Sequence, residues 1–453
     1  MSDVTDRQRF NYDSLDELRE DIEKFDLDIP VQEDVTPLAE SHQIDGKTIP
    51  NSMCANPIEG RDATETGAPG ELSLRRYGRL AEGGSGIIWV EATSVTDDGR
   101  TFPSQFRLTE ETKDEFETLI QTFRERGEDH EGSDRPPYTV LQLTHSGRHS
   151  APDGEPEPII THHSEVYDSP DQEYHLISDA ELDDVQDRFV KTAELAHEVG
   201  FDAVDIKACH GYLLHELLFS FEREDSRYGG SYENRTRFLR ETIGRITDRV
   251  PELTVTTRLN VHDKVPYPWG WGMAKDGSLE RDLSEPVRLI EDLEDLGVEM
   301  VSVGVGNPYH NPDYERPADQ PVEGQDLPDD HPLTSIEESL GVTAALAERI
   351  PENVRLVGTG LSWLRRFFPN VAAAAVADGW MDLIGVGRES LADPYYANRL
   401  LEHDGLPGDE VCIACSACSQ MMRDGVEVGC IIRDTELYRP IYQEGRRQAQ
   451  ADD

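Results

Sequence analysis

The stretch LDDVQDRFVKTAELAHEVG (182–200) followed by FDAVDIKACH (201–210) decides the fold. Its first part places apolar residues at helical spacing, on one face of an otherwise charged segment. Its second part holds AVDIKA (203–208), a short apolar run of the kind that forms a buried strand. The same unit recurs in NRTRFLRETIGRITDRV (234–250) and LTVTTRL (253–259). Further runs of this type are NSMCANPI (51–58), GIIWVEA (86–92), YTVLQL (138–143), EMVSVG (299–304), VRLVG (354–358) and DLIGVG (382–387). Short buried strands alternating with amphipathic helices form a parallel sheet. Eight of them over about 340 residues predict an α/β fold, a TIM (β/α)8 barrel with insertions. A doubly wound sheet is the alternative. It would carry a G-x-G-x-x-G turn after an early strand, and the chain contains none.

Around the barrel (49–405), the sequence divides into an acidic N-terminal extension (1–48), a cysteine-bearing segment (406–435) and a C-terminal tail (436–453). Loop-like insertions are expected at 126–137 and 146–178. A proline-rich third, 262–335, contains YPWGWG (267–272) and is expected to cover the barrel mouth. Its aromatic cluster either faces a planar ligand or packs toward solvent.

Cys412, Cys415, Cys418 and Cys430 read C-x2-C-x2-C-x11-C. Four thiolates at that spacing favour a [4Fe-4S] cluster. A structural Zn(Cys)4 site is the alternative, usually built from two separated C-x2-C pairs; a chance grouping or a disulfide pattern also stays open. Of the other two cysteines, Cys54 sits on the first strand run and reads as a small buried hydrophobe, and Cys209 stands beside His210.

The 92 acidic residues outnumber 43 basic ones, for a formal charge of −49, and lysine is rare. Such a balance resembles a protein adapted to multimolar salt, where screening suppresses self-repulsion. It argues against nucleic acid or an anionic membrane as a partner, since both need a basic face. The segment MSDVTDRQRFNYDSLDEL has no apolar core, so it is read as neither signal peptide nor anchor, and a cytoplasmic location is expected.

QLTHSGR (142–148), DAVDIKACHGYLLHELLFSFEREDSRYGGSYENRTRFLRE (202–241), VTTRLNVHD (255–263), LVGTG (356–360) and DLIGVGRESLADP (382–394) resemble the Old Yellow Enzyme family of FMN-containing oxidoreductases. CIACSAC (412–418) with Cys430 resembles its iron–sulfur subgroup, which includes 2,4-dienoyl-CoA reductase and trimethylamine dehydrogenase. The resemblance implies FMN at the C-terminal mouth of the barrel. Gln142 would meet the flavin pyrimidine edge, offering donor and acceptor from one amide; otherwise it caps a strand end. Arg258 would stand beside N1 and O2, where a fixed cation stabilises charge that grows on reduction; otherwise it makes an inter-strand salt bridge. Backbone N–H groups at Gly358, Gly360, Leu361, Gly387 and Arg388 would take the phosphate. Asn56, Pro57, Ile58 and Ala92 would line the flavin edge.

On the substrate side the family carries His-x-x-His or His-x-x-Asn after strand four. This chain has Lys207 and His210, followed by Tyr212. Lys207 and His210 would hold a substrate oxygen and Tyr212 would protonate carbon. Lys207 could instead snorkel to solvent. The expected function is ene reduction of an unsaturated carbonyl, carboxylate or enoyl thioester, with the cluster relaying electrons. Running the apparatus backwards gives an FMN/iron–sulfur dehydrogenase or oxidative demethylase; a non-catalytic electron-transfer or structural subunit is the alternative of another class. The relatives with clusters continue into nucleotide-binding domains that are not seen after Cys430. A separate electron-transfer protein is therefore expected: ferredoxin, an electron-transfer flavoprotein or a flavoprotein subunit. Direct reduction by NAD(P)H is the alternative. The small-molecule substrate stays open, and the family commonly forms homo-oligomers.

Overall fold

The structure, a computed structural model, describes residues 8–128, 136–403 and 405–452. The first seven residues of the expected N-terminal extension, 129–135 of the expected 126–137 insertion, and residues 404 and 453 lie outside that description.

Eight parallel strands close into a barrel: β1 (Met53–Ala55), β2 (Ile87–Ser94), β3 (Tyr138–Thr144), β4 (Ala203–Ile206), β5 (Thr254–His262), β6 (Met300–Val305), β7 (Arg355–Gly358) and β8 (Leu383–Val386). Each falls on one of the eight apolar runs, and β8 pairs back onto β1 through Ile384 and Met53. The helices that follow each strand are α1 (Glu71–Glu82), α2 (Lys113–Glu128), α3 (Asp179–Val199), α4 (Arg237–Arg249), α5 (Ser284–Glu294), α6 (Pro332–Ala347), α7 (Phe368–Ala377) and α8 (Tyr396–His403).

Local chemistry sets the ends of α3. Ser178 accepts from the Glu181 N–H while the Glu181 carboxylate accepts from the Ser178 N–H, a reciprocal cap. Gly200 ends the helix at φ 100°, a conformation that costs other residues a Cβ clash. The buried face of α3, including Leu182, Val185, Phe189 and Val199, packs in one continuous core with Val204 and Ile206 of β4. Each large apolar side chain fully buried this way contributes about 1.5–3 kcal/mol.

A short antiparallel hairpin, His42–Ile44 with Lys47–Ile49, plugs the barrel where the strands begin. Its Ile44 and Ile49 pack with Cys54, Ile87, Trp89, Tyr138, Ala203 and Met300. The opposite end, where the strands finish, is left open for a site. The helix Leu15–Lys24 buries Leu18 and Ile22 in a second core with Trp363 and Phe368.

Residues Tyr309, Glu315, Arg316, Val322 and Gln325 of the 262–335 segment stand at the barrel mouth, whereas YPWGWG packs away from it: Trp271 is fully buried, and Tyr267 packs against Phe221 with ring centroids 4.7 Å apart. One expectation is corrected here. The C-terminal iron–sulfur segment is replaced by a helical appendage. Its helices Ala417–Arg423 and Thr435–Asp452 share a small core of Met421, Val428 and Tyr438, packed against Ile58 and Leu391 of the barrel. Among the described residues no helix is long and apolar enough to cross a membrane.

Candidate active site at the barrel mouth

The floor of the site is a buried polar network inside the barrel. Gln142 on β3 and Asp205 on β4 are register partners. Asp205 Oδ2 accepts from Gln142 Nε2 at 2.6 Å and from the Trp89 indole at 2.9 Å. Its Oδ1 accepts the Arg258 backbone N–H at 2.6 Å. The Gln142 amide is thereby turned so that its carbonyl oxygen is not spent on Asp205. Burial pushes the Asp205 carboxyl up to about 6, against three donors that pull it down.

That shift has a signed consequence. A carboxyl that binds its proton more tightly when folded stabilises the fold below about pH 4, and this contribution is lost as pH rises to about 6. Asp205→Asn removes the titration. The stability of wild type relative to D205N is therefore expected to fall by up to about 3 kcal/mol between pH 4 and 6. Urea melts of both proteins across that window measure it; a constant difference would refute it.

Above the floor lies a cavity of about 510 Å³, a volume typical of small-molecule sites. It is lined by Asn56, Pro57, Ile58, Ala92, Gln142, Lys207, His210, Tyr212, Arg258, Gly360, Gly387 and Arg388. Gly358 and Leu361 stand behind the lining. Gly358 is buried against Met381, and the Leu361 side chain is buried in the apolar core with Trp363. The cavity also takes Glu59, Arg61, Thr101, Tyr309, Glu315 and Arg316, none of which the sequence singled out.

The turn after β4 presents the reactive side chains. His210 has φ 65° and Gly211 φ 71°; the left-handed conformation costs a non-glycine residue about 1–2 kcal/mol. A buried pair holds it in place. His215 Nδ1 accepts the Gly211 N–H at 2.8 Å, so its Nε2 carries the proton and donates to Asp263 Oδ1 at 3.0 Å. Lys207 is 3% exposed, so it does not snorkel; its Nζ lies 3.6 Å from the centroid of the Tyr212 ring. The Tyr212 hydroxyl lies 3.2 Å from Thr101 Oγ1 and 3.2 Å from the Tyr309 hydroxyl. Burial, with Glu59 nearby, holds the Tyr212 phenol well above its usual range, so it stays protonated. Glu315 Oε1 stands 2.7 Å from Arg258 Nη2 and 2.6 Å from His210 Nε2.

A family model described as the NADH:flavin oxidoreductase / NADH oxidase family matches residues 38–268. The chain belongs to this family. It is an FMN-dependent oxidoreductase. An NADPH dehydrogenase from Clostridium acetobutylicum is 26% identical over 363 residues, covering 79% of this chain and 92% of that protein. Among solved structures, a 2-naphthoyl-CoA reductase bound to 2-naphthoyl-CoA aligns with TM-score 0.68 at 19% identity, covering 88% of this chain. The chain spans 57% of that structure's length. An Old Yellow Enzyme homologue from Zymomonas mobilis aligns with TM-score 0.61 at 20% identity, covering 82% of this chain and 94% of that one. At such identities the two structures speak for the fold alone.

The residues present fit the family's FMN. Arg258 carries a buried Nε with no partner, an orphaned donor in the wall of the cavity, and such a group is costly unless something accepts from it. Gln142, oriented by Asp205, adds an amide, and Gly360 (φ 94°) opens the turn after β7. Gln142 and Arg258 would hold the isoalloxazine, with Gly360, Gly387 and Arg388 on the phosphate.

The iron–sulfur subgroup is corrected. Cys412, Cys415, Cys418 and Cys430 line one small cavity of about 20 Å³. Yet among the described residues no group of three or more His, Cys, Asp or Glu side chains could hold a metal ion. That removes the [4Fe-4S] cluster, its zinc alternative and the electron relay. Burial pushes the Cys430 thiol up to about 11 and raises Cys412 and Cys418 too. Cys412 and Cys430 sulfurs accept the N–H groups of Ala414 and Arg433 at 3.3 and 3.4 Å.

The high-salt reading of the charge is also corrected, as neither the relatives nor the fold supports it. Many acidic side chains are matched locally by arginine, as in Arg235–Glu285 at 2.9 Å and Arg355–Asp382 at 2.8 Å.

Proposed function

We propose that the protein reduces the activated C=C bond of an α,β-unsaturated carbonyl, carboxylate or enoyl thioester, with NAD(P)H as the reductant. FMN, which Gln142, Arg258, Gly360, Gly387 and Arg388 would hold, would supply the hydride chemistry that links the nicotinamide to the β-carbon. This chain supplies the rest. Lys207 holds the substrate oxygen as negative charge grows there, in a buried setting where a fixed cation is worth more than in water. Tyr212 gives its hydroxyl proton to the α-carbon, and Thr101 and Tyr309 orient that hydroxyl. Hydride plus proton balances the reduction of one double bond by one NAD(P)H. The single observation that carries the reading is the Lys207–Tyr212 contact at 3.6 Å, in one cavity with Gln142 and Arg258.

The corrected cysteine segment removes the reason to route electrons through ferredoxin, an electron-transfer flavoprotein or a flavoprotein subunit. Direct nicotinamide reduction needs no such partner. The C. acetobutylicum relative's name, NADPH dehydrogenase, agrees with that donor. The thioester in the 2-naphthoyl-CoA complex belongs to the proposed acceptor class.

The test is anaerobic. NADH or NADPH should bleach the bound flavin, and an enone, an enoate or an enoyl thioester should restore its colour with loss of the double bond. Flavin reoxidised by none of the three would sink the proposal. In the same assay Lys207→Gln should raise KM or lower kcat for acceptors by about 10²-fold, the scale of one lost oxyanion donor, while flavin bleaching proceeds as in wild type.

A further inference from the structure

Reduction puts negative charge on the pyrimidine edge of a flavin, so a lone guanidinium there would favour the reduced form. Arg258 is not alone. Glu315, on the segment after β6, has a side chain only 12% exposed and places one oxygen against both Arg258 and His210, at 2.7 and 2.6 Å. Burial alone would raise its carboxyl. Contact with His210 and Arg258 outweighs this and holds the group well below the usual carboxylate range, so it is ionised at neutral pH. Burial pushes His210 down to about 4, so at neutral pH the imidazole carries a single proton. Its Nε2 lies 2.6 Å from Glu315 Oε1, close enough for an ion pair but without hydrogen-bond geometry. The guanidinium that would otherwise favour an anion at the centre of the mouth is thus paired with a carboxylate of the chain itself.

We propose that Glu315 is a positioning residue that offsets the Arg258 charge, lowering the potential of the bound flavin and leaving Lys207 as the cation that holds the substrate oxygen. This rests on the reading of the site as an FMN-dependent C=C reductase and deepens it. A lower potential makes the reduced flavin a stronger hydride donor, which suits weakly activated acceptors, carboxylates and thioesters, over enones. Placing the oxygen on Lys207 alone acts the same way, because a full positive charge polarises a poor acceptor more strongly than a neutral imidazole.

The test is the midpoint potential of the bound flavin in Glu315→Gln, measured by equilibration with reference dyes. E315Q keeps the size of the side chain and removes its charge. Its potential should move to a more positive value, with flavin retained. Turnover of an enoate relative to an enone should fall about tenfold, the effect of roughly 1.4 kcal/mol at the barrier. Arg316→Gln removes a cation from the same cavity and leaves the Arg258 pair in place, so it should move the potential the other way, to a more negative value. An E315Q potential equal to wild type, with flavin bound, overturns the inference. So does a positive shift in R316Q, which the loss of a cation does not explain and which would trace the effect to disturbed packing of the cavity. If E315Q does not retain flavin, Glu315→Met, neutral and of similar size, carries the measurement: a potential above wild type supports the inference and an unchanged one overturns it. Wild-type protein that binds no FMN would instead overturn the functional reading itself.

Discussion

Tyr212→Phe is expected to slow C=C reduction by about 10²–10⁴-fold, the usual range for loss of a positioned general acid. Flavin reduction by NAD(P)H should be unaffected, because no proton from Tyr212 is needed in that half. The substitution removes one oxygen from a side chain that is 1% exposed and otherwise keeps its packing, including the Lys207 ammonium over its ring. The cost in rate should therefore appear in kcat for the acceptor, with little change in stability. Stopped-flow separation of the two half-reactions measures this. If both halves slow alike, the phenol serves packing or nicotinamide binding and is not the acid. If neither slows, the proton comes from elsewhere, and the Tyr309 hydroxyl at 3.2 Å from Tyr212 becomes the group to replace.

The barrel was legible because every one of its strands is a short apolar run whose burial is decided locally, as in AVDIKA and LTVTTRL. The mouth residues at strand ends were legible for the same reason. Gln142, Lys207 and Arg258 belong to strands or to the turns that leave them, so a correct strand places them. Asp205 was missed although its signal was present: a carboxylate within an otherwise apolar strand run needs buried donors. Glu59, Arg61, Glu315 and Arg316 had no such signal. They stand on irregular segments, and only the path of the chain brings Glu315 within 3 Å of both Arg258 and His210. The direction of the YPWGWG segment stayed open because aromatic content says that a segment packs, not where. The cysteines misled in another way. Spacing gathers four thiols around one cavity, but whether they present sulfurs as a ligand shell depends on backbone turns such as those at Ala414 and Ser416, with φ 52° and 57°.

The cavity's wall beside β1 depends on a charge cluster below it, and its disruption should have the largest effect on stability. Arg76 of α1 reaches Asp62 Oδ2 at 3.1 Å and pairs with Glu91 of β2, all three with side chains at most 7% exposed. Glu91 Oε2 accepts the Gly60 N–H at 2.8 Å, which fixes the turn carrying Glu59 and Arg61 into the cavity. Gly60 itself packs so closely on the guanidinium that an added Cβ would overlap it. Removing the cation while leaving its partners buried costs about 3–5 kcal/mol. Arg76→Met should therefore lower the stability to urea by about that amount, and the loosened turn should weaken flavin retention in the folded fraction. Arg76→Met with Glu91→Gln should recover part of the loss, since the second change replaces a buried carboxyl, which burial pushes up to about 8 even beside Arg76, with a neutral amide and keeps an acceptor for Gly60. A cost below about 1 kcal/mol for R76M would be the value of an exposed ion pair, and would mean that water reaches this cluster. Recovery in the double variant without recovery of flavin would separate the two roles, assigning the stability to charge neutralisation and the cavity wall to the Gly60 hydrogen bond.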